Sequence, residues 1–323
     1  MIAVVLAQGA GAHGLTQFMT ALASGIALGA IYATLALGFV IIFKATQVVN
    51  FAHGAVASLG AYFVVYFAVT VNFPGGLVDF LPRWMQWILS VVAALVAAGF
   101  LGIVIERITI RPMIGEPLFA VAMITLGLDL IVRTVTNDYL SNQVLGLGDP
   151  WGARTLTVGG VVISYTQVIT VLVSVAAMLL LAAFFRSRMG VAMRATALDQ
   201  EAALAQGISV GRVFATAWAI GAALAALGGI FTSVFPRAAG VSPFTAFFAF
   251  RAFPAVVIGG LDSIVGAIVG GMLVGMVEVF AGTYLTQSWL GAGFSGIVGW
   301  LFMMVVLLVR PYGLFGTEEI RRV

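Results

Sequence analysis

Two polar side chains interrupt a long apolar run near the N-terminus, in the stretch VVNFAHG. Asn50 can accept hydrogen bonds from the free N–H groups that begin a helix, and the imidazole of His53 has the chemistry of a base or a metal ligand. Either role for His53 needs partners. His13 lies in the N-terminal tail, and Ser58 is badly spaced for a dyad on the same helix. We therefore interpret His53 as satisfying polar groups at a helix break, or as lining a pathway, rather than as catalytic.

A second stretch, GGLDSIVGAIVGGMLVG, repeats this plan. Asp262 is predicted to cap a helix, and Gly266 follows it at the interval that separates Gly54 from Asn50. Interrupted hydrophobic segments in corresponding halves of a transporter place half-helix N-termini near the middle of the membrane, where N–H groups can meet carboxylate or carbonyl oxygens. Two ordinary interfacial helix starts are the alternative, and the pattern leaves both open. The candidate pathway residues are Asn50, His53, Gly54, Gly259, Gly260, Asp262 and Gly266.

The elements that must position these residues lie in a membrane. The chain has 323 residues, of which 62% are hydrophobic and 8% charged, whereas an ordinary soluble domain is about 25% charged. We predict an all-α, polytopic helical membrane protein, with residues 1–323 forming one transmembrane domain and 18–309 embedded. The arginines are scattered rather than clustered, so nucleic-acid binding is not indicated. There is no cysteine, and two histidines alone cannot form a structural zinc site.

Eight apolar stretches are long enough to span a bilayer. They lie at about 18–43, 54–72, 84–106, 117–136, 166–185, 213–235, 263–282 and 289–309. The densest basic segment, residues 186–212, should be cytoplasmic, which places the N-terminus outside. A ninth crossing at 244–260 is needed to place the C-terminal arginines in the cytoplasm. Because Arg251 and Pro254 suit a lipid-facing helix poorly, we expect this ninth segment to be buried among other helices.

Three charged residues within the predicted spans need an explanation, because intramembrane charge is energetically expensive. Asp129 and Arg133 lie four residues apart, which favours an ion pair within one helix. Glu278 lies roughly one turn from the end of its span. It is expected to pair with Arg237 or Arg251, or to face a water-filled path.

The predicted cytoplasmic loop contains a short amphipathic helix, ALDQEAALAQ. Thr196 and Asp199 resemble a capping box, and Gly207 is a plausible C-terminal stop. A ten-residue helix is marginal by itself in water. We therefore expect it to dock, either on the inner surface of this protein or on a soluble partner. The candidate docking residues are Ala197, Asp199, Glu201, Ala202, Ala205 and Gly207.

The chain lacks a phosphate-binding loop. Its one lysine, Lys44, follows VIIF rather than a glycine-rich loop, and GxxxxGK[ST] does not occur. If the protein performs ATP-driven transport, another subunit must bind the nucleotide.

Five ordered stretches resemble signatures of the permease subunits of branched-chain amino-acid ABC importers. They are VVNFAHGAVASLGAY, IERITIRPMIGEPLFAVAMITLGLDLI, MRATALDQEAALAQGISVGRVFATAWAIGAALAALGGI, IGGLDSIVGAIVGGMLVGMVE and LLVRPYGLFG. The resemblance implies a fold of the ribose and vitamin B12 importer type in a bacterial inner membrane. It also implies three kinds of partner: a second homologous permease, two ATP-binding cassette ATPases and an extracytoplasmic substrate-binding protein. Residues 194–212 would hold the coupling helix that enters the ATPase, the segments 50–54 and 259–266 would lie near the translocation pathway, and this chain would carry no cofactor.

Three residues depart from the family pattern. Asp129 and Arg133 stand where uncharged residues are common, and Arg251 stands where lysine is frequent. Import of urea or a short amide is therefore an alternative within the family. From a different class, an ion- or proton-coupled carrier acting alone would use Glu278 and His53 as a relay.

Overall fold

The computed structural model describes residues 2–113, 116–140, 143–235, 240–285, 291 and 293–317, with side chains from residue 14 onwards except at 118 and 140. The helices are α1 (Ile2–Thr46), α2 (His53–Val65), α3 (Arg83–Ile105), α4 (Leu118–Val135), α5 (Tyr165–Phe185), α6 (Arg188–Leu198), α7 (Gln200–Ala205), α8 (Val210–Val234), α9 (Thr245–Phe250), α10 (Phe253–Gly259), α11 (Ile264–Tyr284) and α12 (Phe294–Val309). Wider π-helical turns extend α2, α3 and α4 over Tyr66–Thr70, Glu106–Ile110 and Thr136–Leu140. The strands β1 (Thr155–Val158) and β2 (Val161–Ser164) form an antiparallel hairpin before α5.

Each of the eight predicted spans coincides with a helix. In the described part of the chain, seven helices are long and apolar enough to cross a membrane, and α12 is a shorter apolar helix. The predicted all-α membrane protein is thus confirmed. One boundary was wrong, because α1 begins at Ile2 and the predicted N-terminal tail has a helical backbone.

The ninth predicted segment forms two short helices, α9 and α10. Pro254 stands in the first turn of α10, where a missing N–H group breaks no helical hydrogen bond. Because Pro254 has no backbone N–H, it cannot extend the hydrogen-bond pattern of α9, and the helical structure is interrupted between α9 and α10. Ala246 in α9 and Ala255 in α10 are fully buried, which confirms the expected burial of this segment.

Helix α1 lies at the centre of the bundle, between α8 and α11. Small residues permit this packing, because lipid gives helices no hydrophobic reason to associate and close backbone contact must hold them together. A Cβ atom added to Gly275 of α11 would lie 2.3 Å from the backbone nitrogen of Gly29 in α1. One added to Gly271 would lie 2.3 Å from the nitrogen of Ala33. These glycines set the distance between α1 and α11.

We expect Gly275→Ala to destabilise the protein by roughly 1–3 kcal/mol, because the added methyl group forces two packed helices apart. Thermal unfolding in detergent, followed by tryptophan fluorescence, measures the effect. Gly127→Ala in α4 is the matched control, since no atom lies within 4 Å of its added Cβ. Alanine there should leave the unfolding temperature unchanged or raise it slightly. Equal unfolding temperatures for the two variants would contradict the packing argument.

Candidate functional site: two helix breaks and the coupling segment

The first break lies between α1 and α2. Asn50 is buried, and its Oδ1 accepts a hydrogen bond from the backbone nitrogen of Ala52 at 3.1 Å. Asn50 is therefore not the N-cap of α2, because the helix begins two residues later than the sequence suggested and Ala52 occupies that position. Asn50 instead closes the turn that leads into the helix, and its carbonyl accepts from the nitrogen of His53 at 3.2 Å.

Helices α4 and α9 hold this break in place. The hydroxyl of Thr125 in α4 donates to the carbonyl of Val49 and accepts from the nitrogen of Phe51. Gly54 contacts α9, where an added Cβ would lie 2.5 Å from the carbonyl oxygen of Ala246. The glycine is needed at this crossing because any side chain would collide with backbone.

His53 is fully buried between helices. Its ring lies 4.0 Å from the ring of Phe39, centroid to centroid, and fills the space left by Gly38. The backbone of Leu35 is near the imidazole, but neither ring nitrogen makes a well-formed hydrogen bond to any described residue. The glycine-lined niche surrounds the ring mainly with carbon, and the role of His53 in satisfying backbone or neighbouring polar groups stays a prediction. Its role in a pathway stays a prediction.

The second break lies between α10 and α11. Helix α10 ends at Gly259, and Gly260 has a φ of +103°, which glycine adopts readily. Ser263, not Asp262, is the N-cap of α11, and its hydroxyl accepts from the nitrogen of Gly266 at 3.0 Å. A Cβ on Gly266 would lie 2.1 Å from the carbonyl oxygen of Gly259, so the two helices meet here backbone to backbone.

Asp262 binds Thr317, the last described residue, instead of capping α11. Its carboxylate accepts hydrogen bonds from the backbone nitrogen and the hydroxyl of Thr317, and its carbonyl accepts from Lys44 Nζ at 3.0 Å. Thr317 therefore competes with the first turn of α11 for the carboxylate, while Lys44 binds only the backbone of Asp262. The adjacent Ser263 has a short hydroxyl that reaches only the helix, which explains why it provides the cap.

Residues 312–317 form a segment that we call the C-terminal clasp. The nitrogens of Leu314 and Phe315 donate to the carbonyls of Ile258 and Gly259, at 2.7 and 3.1 Å. Carbonyls at the end of a helix lack partners within it, so the clasp satisfies the end of α10. The sequence showed the motif RPYGLFG but gave no sign that it binds the second break.

A cavity of about 660 Å³ separates the clasp from α6. Its walls come from the end of α1, from α6, from the second break and from the clasp. They include Lys44, Arg194, Leu198, Leu261 and Tyr312. The second break and the predicted coupling loop therefore share one space.

The predicted coupling helix is two helices rather than one. Thr196 does not cap it, because its hydroxyl donates to the carbonyl of Ala192 inside α6. Asp199 is the N-cap of α7, and its Oδ1 accepts from the nitrogen of Ala202 at 2.9 Å. Ala197 consequently belongs to α6. A capping-box pattern is local, and it did not reveal that the preceding residues already continue a helix.

Helix α7 packs against α6 and α8 and leaves most of its residues exposed. It ends at Ala205, and Gly207 has a φ of +79°, which confirms the predicted stop. Glu201, Ala202 and Ala205 are exposed, and Ala203 is the buried residue of the helix. Leu198 and Leu204 are 90% and 57% exposed. The segment thus presents apolar side chains that the described part of the chain does not cover.

The intramembrane charges form pairs. Asp129 and Arg133 are joined by a 2.5 Å contact, which confirms the predicted pair within α4. Glu278 accepts from Arg251 Nη1 at 2.9 Å and from the hydroxyl of Tyr32 at 2.6 Å. Arg251 was one of its two predicted partners, and the other, Arg237, lies outside the described residues. Tyr32 was missed because it is 246 residues away in sequence.

The structure brings the two breaks together through α9 and α10. The first break contacts the start of α9 at Ala246, and α10 ends in the second break at Gly259. Ala197 of the coupling segment lines the same cavity as Asp262 of the second break, and Arg133 of α4 contacts Phe247 in α9.

Comparisons with known proteins agree with this architecture. The family model for the permease component of branched-chain amino acid transport systems matches residues 21–309. The chain is 31% identical to the Escherichia coli K12 high-affinity branched-chain amino acid transport system permease protein LivH and 30% identical to Pseudomonas aeruginosa BraD, over 95% of this chain and 98% of each relative. A probable LivH from Methanocaldococcus jannaschii is 26% identical, over 88% of both chains.

Among solved structures, PsaBC from Streptococcus pneumoniae in complex with Fab is 13% identical, with 97% of both chains covered and a TM-score of 0.45. That score is too low to establish a shared fold, so the importer type stays a prediction. The family match covers most of the chain, including both helix breaks and the coupling segment. The chain is a multi-pass membrane protein that belongs to the family of branched-chain amino acid transport permease components.

Proposed function

We propose that this chain is a permease subunit of an ATP-driven importer and forms the translocation pathway for branched-chain amino acids. The observation that carries the proposal is the family match over residues 21–309, together with relatives named as high-affinity branched-chain amino acid permeases. The chain has no GxxxxGK[ST] motif, so partner subunits supply the ATP site. The permease has no chemical reaction of its own.

The proposed assembly contains a second homologous permease, two ATPases and an extracytoplasmic binding protein that delivers the substrate. The exposed leucines of the α6–α7 segment support its contact with an ATPase. Helix α4 supports a second permease, because only 22% of its most apolar stretch is buried within the chain. The chain forms one transmembrane domain in the bacterial inner membrane, with the N-terminus outside and the C-terminus in the cytoplasm.

The two helix breaks are the proposed moving parts of the pathway. Helices α9 and α10 connect them, and the clasp ties the second break to the cytoplasmic end. Because the cavity beside the clasp is lined by α6, a displacement of the coupling segment can change the space into which the second break moves. Asn50, Gly54, Gly260 and Gly266 would then control the pathway through backbone position rather than through direct chemistry.

Reconstitution in liposomes tests this proposal. The complete assembly should take up labelled leucine only with its binding protein and with ATP. An excess of urea or acetamide should not compete. Uptake driven by a proton gradient with this chain alone would overturn the proposal in favour of a coupled carrier, and ATP-dependent uptake of urea would favour the amide importers.

A further inference from the structure

Helix α9 is flanked by two arginine–carboxylate pairs from different parts of the chain. The guanidinium carbon of Arg133 in α4 lies 4.1 Å from the ring centroid of Phe247. That of Arg251, at the end of α9, lies 4.3 Å from the ring centroid of Phe248. Each arginine also binds a carboxylate, Asp129 or Glu278. We call α9 with these two pairs the α9 wall.

The α9 wall is partly open. The side chains of Arg133 and Asp129 are 23% and 18% exposed, and those of Arg251 and Glu278 are 31% and 10% exposed. Beside them, Phe247 is 56% exposed. The wall therefore presents charge and aromatic surface together.

The position of these charges excludes contact with lipid tails. Glu278 lies six residues before the end of α11, or about 9 Å along a helix. Asp129 lies near the middle of α4 with its π-helical extension. A charged group facing hydrocarbon is disfavoured by several kcal/mol, so intramembrane charges face the bundle interior or a water-filled space. The open side of the wall must meet water or another protein.

The arginines retain hydrogen-bond donors. Arg133 Nε is buried without a hydrogen-bond partner among the described residues. Arg251 donates to Glu278 through Nη1, while a guanidinium carries five N–H groups. Gly296 of α12 leaves room for it, since a Cβ there would lie 2.5 Å from Arg251 Nη2. Planar guanidinium groups with free donors are suited to binding a carboxylate.

We propose that the α9 wall lines the aqueous part of the translocation path, and that Arg133 and Arg251 donate hydrogen bonds to the carboxylate of a passing amino acid. The proposal rests on the proposed function. Each pair is neutral overall, so a zwitterion can exchange contacts with it and add no net charge. Asp129 and Glu278 meet the ammonium group, while the phenylalanine rings contact the apolar side chain.

Cysteine labelling tests whether the α9 wall is exposed to water. Because the chain has no cysteine of its own, each introduced cysteine is its one labelling site. Phe244→Cys and Phe247→Cys are made singly in the complete transporter, with and without ATP. A charged, membrane-impermeant methanethiosulfonate is then applied from both sides. Leu179→Cys, an exposed position on α5, reports on lipid-facing surface, and Leu77→Cys, in an exposed loop, is the positive control.

In at least one nucleotide state, both wall positions should react roughly tenfold faster than the α5 position, because the reagent reaches a thiolate only through water. Labelling as slow as at Leu179→Cys in both states, with Leu77→Cys reactive, would overturn the inference. Leucine uptake is measured on the same preparations. Slow labelling with intact uptake contradicts only the proposal that the α9 wall lines the aqueous path. Absent uptake in the unsubstituted transporter contradicts the proposed function.

A neutral replacement of one pair tests the carboxylate contact. Asp129→Asn with Arg133→Gln removes both charges and keeps a polar amide at each position, so no charge is left unpaired. We expect leucine uptake at subsaturating substrate to fall about tenfold, the effect of losing a charge-assisted hydrogen bond. Labelling of Phe247→Cys should stay fast in this background. Unchanged uptake would overturn the role of the pair.

Discussion

Replacing Arg251 by methionine is expected to lower the stability of the permease by about 3 kcal/mol and to abolish transport. Glu278 is buried, and Arg251 is its charged partner in the described part of the chain. Removing the guanidinium leaves a buried carboxylate whose one remaining hydrogen-bond partner among the described residues is the Tyr32 hydroxyl. An unpaired buried charge is far less stable than a complete pair or a neutral replacement. The unfolding temperature in detergent and leucine uptake by the reconstituted transporter measure the two effects.

A double variant separates the effect of losing the arginine's charge from the effect of losing its packing. Arg251→Met combined with Glu278→Gln leaves no charge, and the amide can still bond to Tyr32. The double variant should regain most of the lost stability but not full transport, because the substrate contact of Arg251 stays absent. Arg107→Met is the control, since Arg107 is exposed and forms no ion pair with a described residue. If the single and double variants are equally unstable, the ion pair does not explain the effect.

Leu204→Asp is expected to weaken the contact with the ATPases and thereby abolish transport. Leu204 is exposed on α7, so a carboxylate there should leave the fold and the unfolding temperature unchanged. An apolar side chain at the centre of a docked surface commonly contributes more than 1 kcal/mol to binding, and a buried charge adds a further penalty. We expect the ATPases to co-purify poorly with this variant and leucine uptake to fall to background.

The same exchange at Leu77 is the matched control. Leu77 is exposed in the loop between α2 and α3, at the end of the bundle opposite the proposed ATPase contact. Recovery of the ATPases in a pull-down should therefore be normal for Leu77→Asp. Normal recovery and full uptake with Leu204→Asp would show that α7 is not the coupling element.

The membrane class and the helices followed from local patterns. Transfer of apolar side chains from water to lipid depends little on what a helix contacts. The predicted spans, such as the one near His53–Val65, therefore agree with the helices within a few residues, except at the start of α1. The Asp129–Arg133 pair followed from the helical repeat, which fixes neighbours four residues apart. The end of α7 near Gly207 was predicted because glycine readily adopts the positive φ that commonly ends a helix.

The details of the candidate site depend on contacts between residues that are far apart in the sequence. Asp262 and Ser263 are both good capping residues, and the choice between them depends on Thr317, which binds the Asp262 carboxylate and leaves the cap to Ser263. The coupling segment was predicted as one helix, because a capping-box pattern cannot show that Thr196 lies within a helix that began earlier.

By itself, the sequence determined that this protein is a helical membrane protein, where most of its helices lie, and which charges must be neutralised within the membrane. Tertiary structure decided that Tyr32 and Arg251 neutralise Glu278, that His53 is enclosed by Phe39 and a glycine niche, and that the clasp completes the second break. The physical reason is the same in each case. Hydropathy and helix geometry act within a few residues, whereas buried charges and unpaired backbone groups take partners from whichever segment packs against them.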